Sequence, residues 1–487
     1  MFNENINIKV VSSPIKIIEY DNGMVVFLNP NSLNWVRTSV TGLWIYKYLE
    51  NKPCSFADLI KTIAENNSLP EKEIYEDVKY FIEDMVKCGF MELELEVLNN
   101  EKIKIVKELM EYGLNELWLQ ITSDGIELYQ ASKLTEKTSF FPVENLDKLL
   151  SEAKALGVSF LTIAGGEPLL HPQFPHILSK ARSASNWVIK VKTTASFPNF
   201  DYVDEMIKNA DIIQVKLDGV KEETHDLVGG KGNFAKVFSL LKYLYHHSDR
   251  DKKKIGISFT PLQNNIDEME YLVEVGYKYK LDFIHLNQVR LPEYYRGMEE
   301  DERNELFKKS QDIFFDMVEK NNTIISEVNR EGFKKLLIDE TFALYYDLLD
   351  TAKKQNCEAG ITKLCIIENG DVFPCATMKV YPEARVGNCF IEDDLPTLYQ
   401  KARKWNKDVF SVDNHQQCRE CDFRYYCGGG CRARVKATNE PDLMCEMITK
   451  YYNNLFKYLE VITQNQDKKE VEVEDGRIQR FFFKHCS

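Results

Sequence analysis

Cysteine is scarce in the first 356 residues of this 487-residue chain, where it occurs only at Cys54 and Cys88, whereas nine cysteines lie between Cys357 and Cys445. No apolar run reaches the ~18 residues that span a bilayer, and the N-terminal residues do not resemble a signal peptide. These absences predict a soluble, cytoplasmic protein without a membrane partner. A disulfide framework needs an oxidising compartment, so we interpret the cysteine-rich segment as a metal site.

An excess of basic residues is also missing. The net charge is −14 and the pI is about 5.3, which argues against a nucleic-acid partner. A chain of this length exceeds what one core supports, so two to four domains are expected.

The N-terminal segment, residues 1–97, predicts a β-hairpin followed by three helices. Two apolar stretches flank Asn22-Gly23, a pair that favours a tight turn because both residues tolerate positive φ. Helical periodicity then covers residues 40–49, 56–65 and 72–86, and Ser55 is placed to cap the second helix. A linker helix is expected within residues 98–114.

Residues 115–345 alternate apolar strands with amphipathic helices, which predicts an α/β fold with a parallel sheet. Six such units would make a partial (β/α)6 barrel whose ligands sit at the carboxyl ends of the strands. The expected strands are residues 117–121, 160–163, 188–191, 212–215, 255–258 and 283–286.

Seven of the late cysteines form one spacing pattern. Twelve residues separate Cys357 from Gly370 and four separate Gly370 from Cys375, and a C-x2-C-x5-C-x3-C run with a last cysteine thirteen residues further on follows. Gly370 marks a hairpin apex that would return Cys375 towards Cys357, and Gly428-Gly429-Gly430 permits close approach of backbone to a cluster. Four thiolates suit a 4Fe-4S cluster, while structural zinc remains the alternative. The cysteines of the run are Cys418, Cys421, Cys427, Cys431 and Cys445.

This pattern resembles the SPASM domain of radical S-adenosylmethionine (SAM) enzymes, which implies two auxiliary 4Fe-4S clusters in residues 346–455. By that resemblance Cys357, Cys375 and Cys431 bind the first cluster; we call them the first cysteine group. The second cysteine group is Cys418, Cys421, Cys427 and Cys445. Residues 350–353 lack the further cysteine of many members, so the first cluster either has an open iron or recruits Cys365 or Cys389; a buried strand residue is the favoured interpretation of Cys365. Residues 456–487 are taken as a C-terminal tail.

The middle segment resembles the radical SAM barrel. Gly165-Gly166-Glu167-Pro168 is similar to the family's GGEP motif, which contacts the SAM amino group, and Lys216-Leu217-Asp218-Gly219, His225-Asp226 and Gly230 follow the family after its fourth strand. The resemblance implies a SAM-binding remnant at Gly165, Gly166 and Glu167.

One departure from that family is decisive for function. The loop after the first strand should carry CxxxCxxC, but Gly125, Tyr129 and Ser132 stand at those positions, and no other cysteine lies between Cys88 and Cys357. Glycine, phenol and neutral serine are poor ligands for iron–sulfur iron. Gly229 also replaces an arginine that meets the SAM carboxylate in the family, and Thr193-Thr194-Ala195 replaces Thr-Asn-Gly. We therefore expect a pseudoenzyme barrel in which SAM binding is doubtful.

Residues 8–97 resemble a RiPP recognition element, the small PqqD-like module that binds the leader of a ribosomally made peptide by adding it as a strand to a sheet edge. A purely structural winged-helix module is the alternative. The sequence thus predicts an accessory iron–sulfur protein that binds a precursor leader and assists an active radical SAM enzyme. The alternatives are a peptide-modifying enzyme acting through an auxiliary cluster, and a structural heterodimer subunit.

Overall fold

A computed structural model of the chain describes most of the segments considered above. Several expectations fall outside the described residues. They concern Asn22, the first part of the linker helix, the loop with Gly125, Tyr129 and Ser132, residues 350–353 and the C-terminal tail. Those described are residues 6–11, 15–20, 23–30, 33–93, 109–123, 139–197, 199–287, 337–340, 354–409 and 411–435, with scattered positions in 299–317 and 442–452.

The N-terminal segment contains the expected hairpin and three helices, together with four further short strands. Its strands are β1 (Asn7–Val10), β2 (Lys16–Glu19), β3 (Met24–Leu28), β4 (Trp35–Ser39), β5 (Cys54–Ser55) and β6 (Met91–Leu93). Its helices are α1 (Val40–Asn51), α2 (Phe56–Asn67) and α3 (Glu71–Lys87).

Local sequence signals explain these elements. Gly23 has φ +79°, and the N–H of Tyr20 donates to the carbonyl of Met24 at 2.9 Å, which closes the turn between β2 and β3. The hydroxyl of Ser55 accepts from the N–H of Asp58 at 3.1 Å and caps α2 as expected. Strand β4 was not predicted because its polar residues interrupt the apolar alternation.

Strand β3 is buried on both faces. Val25 and Phe27 pack against the three helices of the module, whereas Val26 and Leu28 belong to the large core of the rest of the chain. All five β3 residues are buried. The N-terminal module is therefore built into the body of the protein through one face of its own sheet.

The remainder of the chain is built around a ten-stranded sheet, whose strands we number along the chain. Their spatial order in the sheet is β13-β12-β11-β10-β9-β8-β7-β14-β15-β16. The neighbours from β7 to β13 pair in parallel, and β14 pairs in parallel with β7. All six predicted strands are present, and β13 adds a seventh. The strands are β7 (Glu116–Gln120), β8 (Phe160–Ala164), β9 (Val188–Thr193), β10 (Ile212–Lys216), β11 (Lys254–Phe259), β12 (Phe283–Leu286), β13 (Leu337–Glu340), β14 (Lys363–Ile366), β15 (Asp371–Phe373) and β16 (Gly387–Asn388).

Helices cover one face of the parallel strands, and apolar side chains from both form the main core. Alternate strand residues point the other way, to a surface that we call the inner wall; it carries Trp118, Lys192 and Gln214 among others. The helices are α4 (Leu146–Ala155), α5 (Phe174–Ala184), α6 (Phe200–Asn209), α7 (Glu222–Gly229), α8 (Asn233–His246) and α9 (Leu272–Lys278).

The cysteine-rich region follows as a hairpin and three helices. Strands β14 and β15 pair antiparallel around Gly370, whose φ is +89°, as the sequence predicts. The helices are α10 (Leu395–Val409), α11 (Gln416–Arg419) and α12 (Arg424–Cys427). Among the residues that the structure describes, none of the helices combines the length and apolar character that crossing a bilayer requires.

Candidate cluster sites and the remnant ligand site

The first cysteine group lies in one apolar cluster. Cys357, Cys375 and Cys431 pack around Ala359, Phe373 and Met378, and Cys365 is fully buried in the same cluster. Cys375 follows β15 directly, so the hairpin turn at Gly370 brings it back to this cluster. Tertiary packing thus gathers cysteines that are up to 74 residues apart (431 − 357).

Protonated thiols are favoured in this cluster. Burial raises the pKa of the Cys357 thiol, and the neighbouring Cys431 raises it further. Burial raises the pKa of Cys365 to about 12. A metal ion that binds here must therefore displace protons, which couples binding to pH.

Cys389 lies elsewhere. It belongs to the main core, and its N–H donates to the carbonyl of Gly370 at 2.9 Å. Burial raises the pKa of its thiol to about 12, and Glu152 and Asp371 are the acidic groups that act on it. Of the two candidates for an additional ligand of the first cluster, only Cys365 therefore lies with the first cysteine group.

Three members of the second cysteine group lie in α11, in α12 and in the loop between these helices, and the fourth member is Cys445. Burial raises the pKa of Cys427, and Asp442, Cys445, Cys421 and Cys418 raise it further, which places the four thiols in mutual electrostatic range. Burial, Cys421 and Cys418 likewise raise the pKa of Cys445 to about 11. Gly428, Gly429 and Gly430 all have positive φ, at 62°, 82° and 76°, a conformation that favours glycine.

A buried arginine lies between the two groups. Arg432 is 2% exposed, and it lines a small cavity together with Cys357, Trp405 and Asn406. Its positive charge acts to lower the pKa of Cys357, Cys418 and Cys445, against the larger effect of burial. It is thus the described cation best placed to stabilise thiolates in both groups.

The residues present fit iron–sulfur ligation by donor chemistry: two separate sets of soft sulfur donors, each with apolar surroundings and a nearby cation. Within the described ranges, no three His, Cys, Asp or Glu side chains are already arranged to hold a metal ion directly. Zinc is also compatible with these donors.

The Gly165-Gly166-Glu167 turn stabilises the fold by connecting neighbouring strands. The carboxylate of Glu167 is fully buried and accepts hydrogen bonds from the hydroxyls of Thr193 and Thr194 and from the N–H groups of Leu169 and Thr194, at 2.7–3.0 Å. Burial raises its pKa, although these bonds act in the opposite direction. The side chain therefore ties β8 to the end of β9.

Gly165 is required by close packing. A Cβ there would lie 2.8 Å from the carbonyl oxygen of Thr122, and the N–H of Gly166 donates to the same oxygen at 3.1 Å. The turn is thus explained by its contact with the end of β7, whether or not a ligand binds.

The helix α7 has a comparable structural role. Nδ1 of His225 accepts from the N–H of Asp218 at 3.0 Å, and burial lowers the pKa of His225 to about 4. A Cβ on Gly229 would lie 2.9 Å from both His225 Nε2 and Asn233 Nδ2. A Cβ at position 229 would therefore require His225 or Asn233 to shift.

The N-terminal module touches the second cysteine group. Lys16 at the start of β2 forms an ion pair with Asp422 at 2.8 Å and lies over the Phe423 ring at 5.2 Å. The hydroxyl of Tyr426 donates to the carbonyl of Leu33 at 2.9 Å. These contacts join the hairpin to the segment between Cys421 and Cys427.

Residues 121–275 match the family model of the radical SAM superfamily. The match covers about a third of the chain and shows a likeness of its middle part to that superfamily. A curated relative, the mycofactocin maturase MftC of Mycolicibacterium smegmatis, is 23% identical over 302 residues, which cover 60% of this chain and 71% of the relative.

Two proteins solved with bound S-adenosylmethionine share the mixed α/β fold and its parallel sheet. Streptococcus suis SuiB bound to S-adenosylmethionine aligns with a TM-score of 0.51 at 15% identity, over 90% of this chain and 100% of SuiB; SuiB bound to precursor peptide SuiA aligns with a TM-score of 0.50 at 15% identity, over 91% and 98%. Native anSMEcpe with bound AdoMet and Kp18Cys peptide aligns with a TM-score of 0.54 at 16% identity, over 72% and 99%. At these identities the likeness establishes the fold.

Sequence reasoning did not single out three polar residues of the inner wall, Trp118, Lys192 and Gln214. Their signal is visible in retrospect, because polar residues alternate with apolar ones in Leu117-Trp118-Leu119-Gln120 and in Ile213-Gln214-Val215-Lys216. Such alternation is unusual for parallel strands that are covered on both faces.

Proposed function

We propose that this chain is an accessory iron–sulfur protein in the maturation of a ribosomally made peptide, and that its barrel is a pseudoenzyme. One observation carries the proposal. The radical SAM domain begins at the end of β7, yet no cysteine stands between Cys88 and Cys357 to hold the cluster that cleaves SAM. The occupied carboxylate of Glu167 and the close packing around Gly229 support the same conclusion.

The C-terminal region, residues 346–455, would hold two auxiliary 4Fe-4S clusters. The first and second cysteine groups would be the ligands of these clusters, and Cys365, a fully buried residue of β14, is the candidate for an additional ligand of the first. Such clusters supply one-electron transfer when bound. The chain contributes buried thiols, the Arg432 charge and a glycine-rich loop to these sites. Metal analysis of the purified protein distinguishes iron from zinc.

Residues 1–97 would act as a RiPP recognition element. In the antiparallel sheet β2-β3-β4, the N–H of Tyr20 donates to the carbonyl of Met24, and the N–H of Asn29 donates to the carbonyl of Asn34. Because main-chain groups alternate in direction along an antiparallel strand, these two bonds show which residues of β2 and β4 direct their N–H and carbonyl groups towards β3. By that alternation, the main-chain groups of Trp35, Arg37 and Ser39 point away from β3. Helix α3 packs beside β4, with Nδ2 of Asn34 donating to the carbonyl of Cys88 at 3.1 Å. A leader strand added to β4 would lie next to α3.

The partner that completes the chemistry would be an active radical SAM enzyme, and the substrate the precursor peptide. A relative whose name describes peptide work, the PqqA peptide cyclase of Streptomyces rochei, supports this class of substrate. The accessory hypothesis requires both an active partner enzyme and intact clusters. A peptide-modifying enzyme would not need the partner, and a structural heterodimer subunit would not need the clusters.

The deciding experiment is a reconstitution with a precursor peptide and a radical SAM enzyme encoded beside this chain. With SAM and dithionite, we expect a change in peptide mass only when all three proteins are present, and loss of that change with Cys418→Ala/Cys421→Ala. Modification by the partner alone would contradict the accessory role. Modification by this chain alone would establish the enzyme alternative, and full activity of the cysteine variant would favour a purely structural subunit.

A further inference from the structure

The carboxylate of Asp442 is a buried junction in the cysteine-rich region. Asp442 is 5% exposed, and its two oxygens accept hydrogen bonds from four N–H groups. Oδ1 accepts from the main chain of Met444 at 2.9 Å and from Nε of Arg434 at 2.7 Å. Oδ2 accepts from the main chain of Cys431 and from Nη2 of Arg434, both at 2.6 Å. These bonds use the acceptor capacity of an ionised carboxylate in full.

Asp442 connects one member of each cysteine group. Cys431 of the first cysteine group donates its N–H to the carboxylate. Cys445 of the second cysteine group donates its N–H to the main-chain carbonyl of the same aspartate at 3.0 Å. Asp442 therefore fixes the main chain at two candidate ligand positions that belong to different groups.

The glycine next to Cys431 is required by the same carboxylate. A Cβ at Gly430 would lie 2.3 Å from Oδ2 of Asp442 and 2.6 Å from its Cβ, and Gly430 has φ +76°. Any side chain at this position would push the carboxylate away from the N–H of Cys431. The last glycine of the Gly428-Gly429-Gly430 run is thus explained by the close approach of Asp442.

A charge effect on the thiols does not explain this carboxylate. Burial raises the pKa of the Cys427 thiol and Asp442 raises it further, so the negative charge opposes formation of a thiolate there. The ion pair with Arg434, which is 1% exposed, balances the buried charge but needs only that one partner. The ion pair leaves the two main-chain donors unexplained, and these belong to a cysteine, Cys431, and to the neighbour of a cysteine, Met444.

We propose that Asp442 is a positioning residue for both cluster sites, which it couples by holding the main chain of Cys431 and of Cys445 in one fixed relation. The inference rests on the proposed function, because it requires metal at both cysteine groups. Substitution of a ligand empties the group to which that ligand belongs. Loss of Asp442, in contrast, lowers the metal occupancy of both groups while all the cysteine thiols remain present.

The first test measures the metal bound to the full-length protein after anaerobic purification, in two parent variants that each retain one group. Cys418→Ala/Cys421→Ala keeps the ligands of the first cysteine group, and Cys357→Ala/Cys375→Ala keeps those of the second. The metal that remains in each parent therefore reports one group, whether that metal is iron or zinc.

Arg434→Met/Asp442→Ala is then added to both parents, since it removes the carboxylate without leaving the buried arginine unpaired. We expect the remaining metal to fall to about half or less in both, because groups that orient metal ligands contribute strongly to affinity. Unchanged metal in either parent, with metal present in the wild type, would overturn the coupling. A wild type without metal would refute the cluster sites themselves.

Arg385→Met/Asp371→Ala is the matched control in the same region. Asp371 also pairs with an arginine, Arg385, at 2.6 Å, and its carboxylate otherwise accepts from the side chains of Asn369 and Asn388. None of these described donors belongs to a cysteine. The metal content of both parents should therefore stay unchanged.

The second test separates positioning from the ion pair. Arg434→Met/Asp442→Asn also lacks the ion pair, but its amide oxygen can still accept from the N–H of Cys431 or of Met444. We expect it to hold more metal than the alanine variant and less than its parent, with circular dichroism used to check folding. The comparison with the parent decides the question even if the alanine variant does not fold. Equal metal in the asparagine and alanine variants, or in the asparagine variant and its parent, would overturn the positioning role; zinc in the wild type would refute only the iron–sulfur function.

Discussion

Cys365 and Trp118 face each other across the parallel strands β14 and β7. This pairing continues the barrel sheet into the cysteine-rich region, so the two are one sheet and not two linked units. It also brings Cys365 into the cluster that contains Cys357, Cys375 and Cys431. Five predictions follow from this arrangement and from the sites described above.

Cys365→Ala should weaken the first cluster, since Cys365 lies with the first cysteine group. We expect the iron content of anaerobically purified protein to fall by up to about four atoms per chain, as measured by metal analysis and electron paramagnetic resonance. Cys389→Ala is the control, because Cys389 is also buried but lies in the main core. Equal iron in both variants would leave Cys365 as a packing residue.

The wild-type protein should contain about eight irons per chain, corresponding to two 4Fe-4S clusters. Cys418→Ala/Cys421→Ala should remove about half of them and destabilise residues 346–455, because metal binding contributes to folding of loop-rich regions. Cys54→Ala, in the N-terminal module, should leave the iron content unchanged. Zinc as the main metal would refute the cluster assignment.

The protein alone should not cleave SAM. At the positions that the resemblance assigns to the three thiolates of the cleaving cluster the chain has Gly125, Tyr129 and Ser132, and at the position it assigns to a carboxylate-binding arginine the chain has Gly229. Incubation with dithionite and SAM should give no 5′-deoxyadenosine above a protein-free control. Sustained turnover would mean that a further cluster site exists and that the barrel is active.

Leader binding should depend on the outer edge of β4. We expect the full-length protein to bind the leader of a neighbouring precursor with micromolar or better affinity, about 8–10 kcal/mol, and Arg37→Pro to weaken it at least tenfold by removing one edge N–H. Glu19→Pro is the matched control on the opposite edge, at β2. Calorimetry with equal affinities for the two variants would contradict binding at β4. The full chain is needed, since isolating residues 1–97 would expose Val26 and Leu28.

Acid should destabilise the barrel through His225. Its pKa is lowered from 6.5 to about 4 in the folded protein, so between these pH values the unfolded chain binds the extra proton. Stability should therefore be constant above pH 6.5 and fall on acidification towards pH 4, by on the order of 3 kcal/mol. Urea unfolding at several pH values should show a smaller fall for His225→Gln, and an unchanged one for the exposed His176→Gln.

Much of the architecture follows from local sequence. Helix α3 forms because Val78, Ile82 and Met85 recur at helical spacing, and the hairpins form where Gly23 and Gly370 supply positive φ. The alternation of strands and helices in residues 115–286 predicts the parallel sheet, because a short right-handed crossover allows little else. The residues that give each of these signals lie within a few positions of one another, so the signals can be recognised in a single sequence.

The sequence by itself determined most of the order of helices and strands, the spacing of seven cysteines and the absence of cysteine between Cys88 and Cys357. Only the tertiary structure decided which distant groups meet: Gln120 with Glu368, 248 positions apart, and Tyr426 with Leu33, 393 positions apart. It likewise decided that Cys365 and not Cys389 joins the first cysteine group, that β3 is buried on both faces, and that Gln214 has no partner among the described residues. The physical reason is that the partner of a buried side chain is set by packing between elements, and no local pattern encodes it.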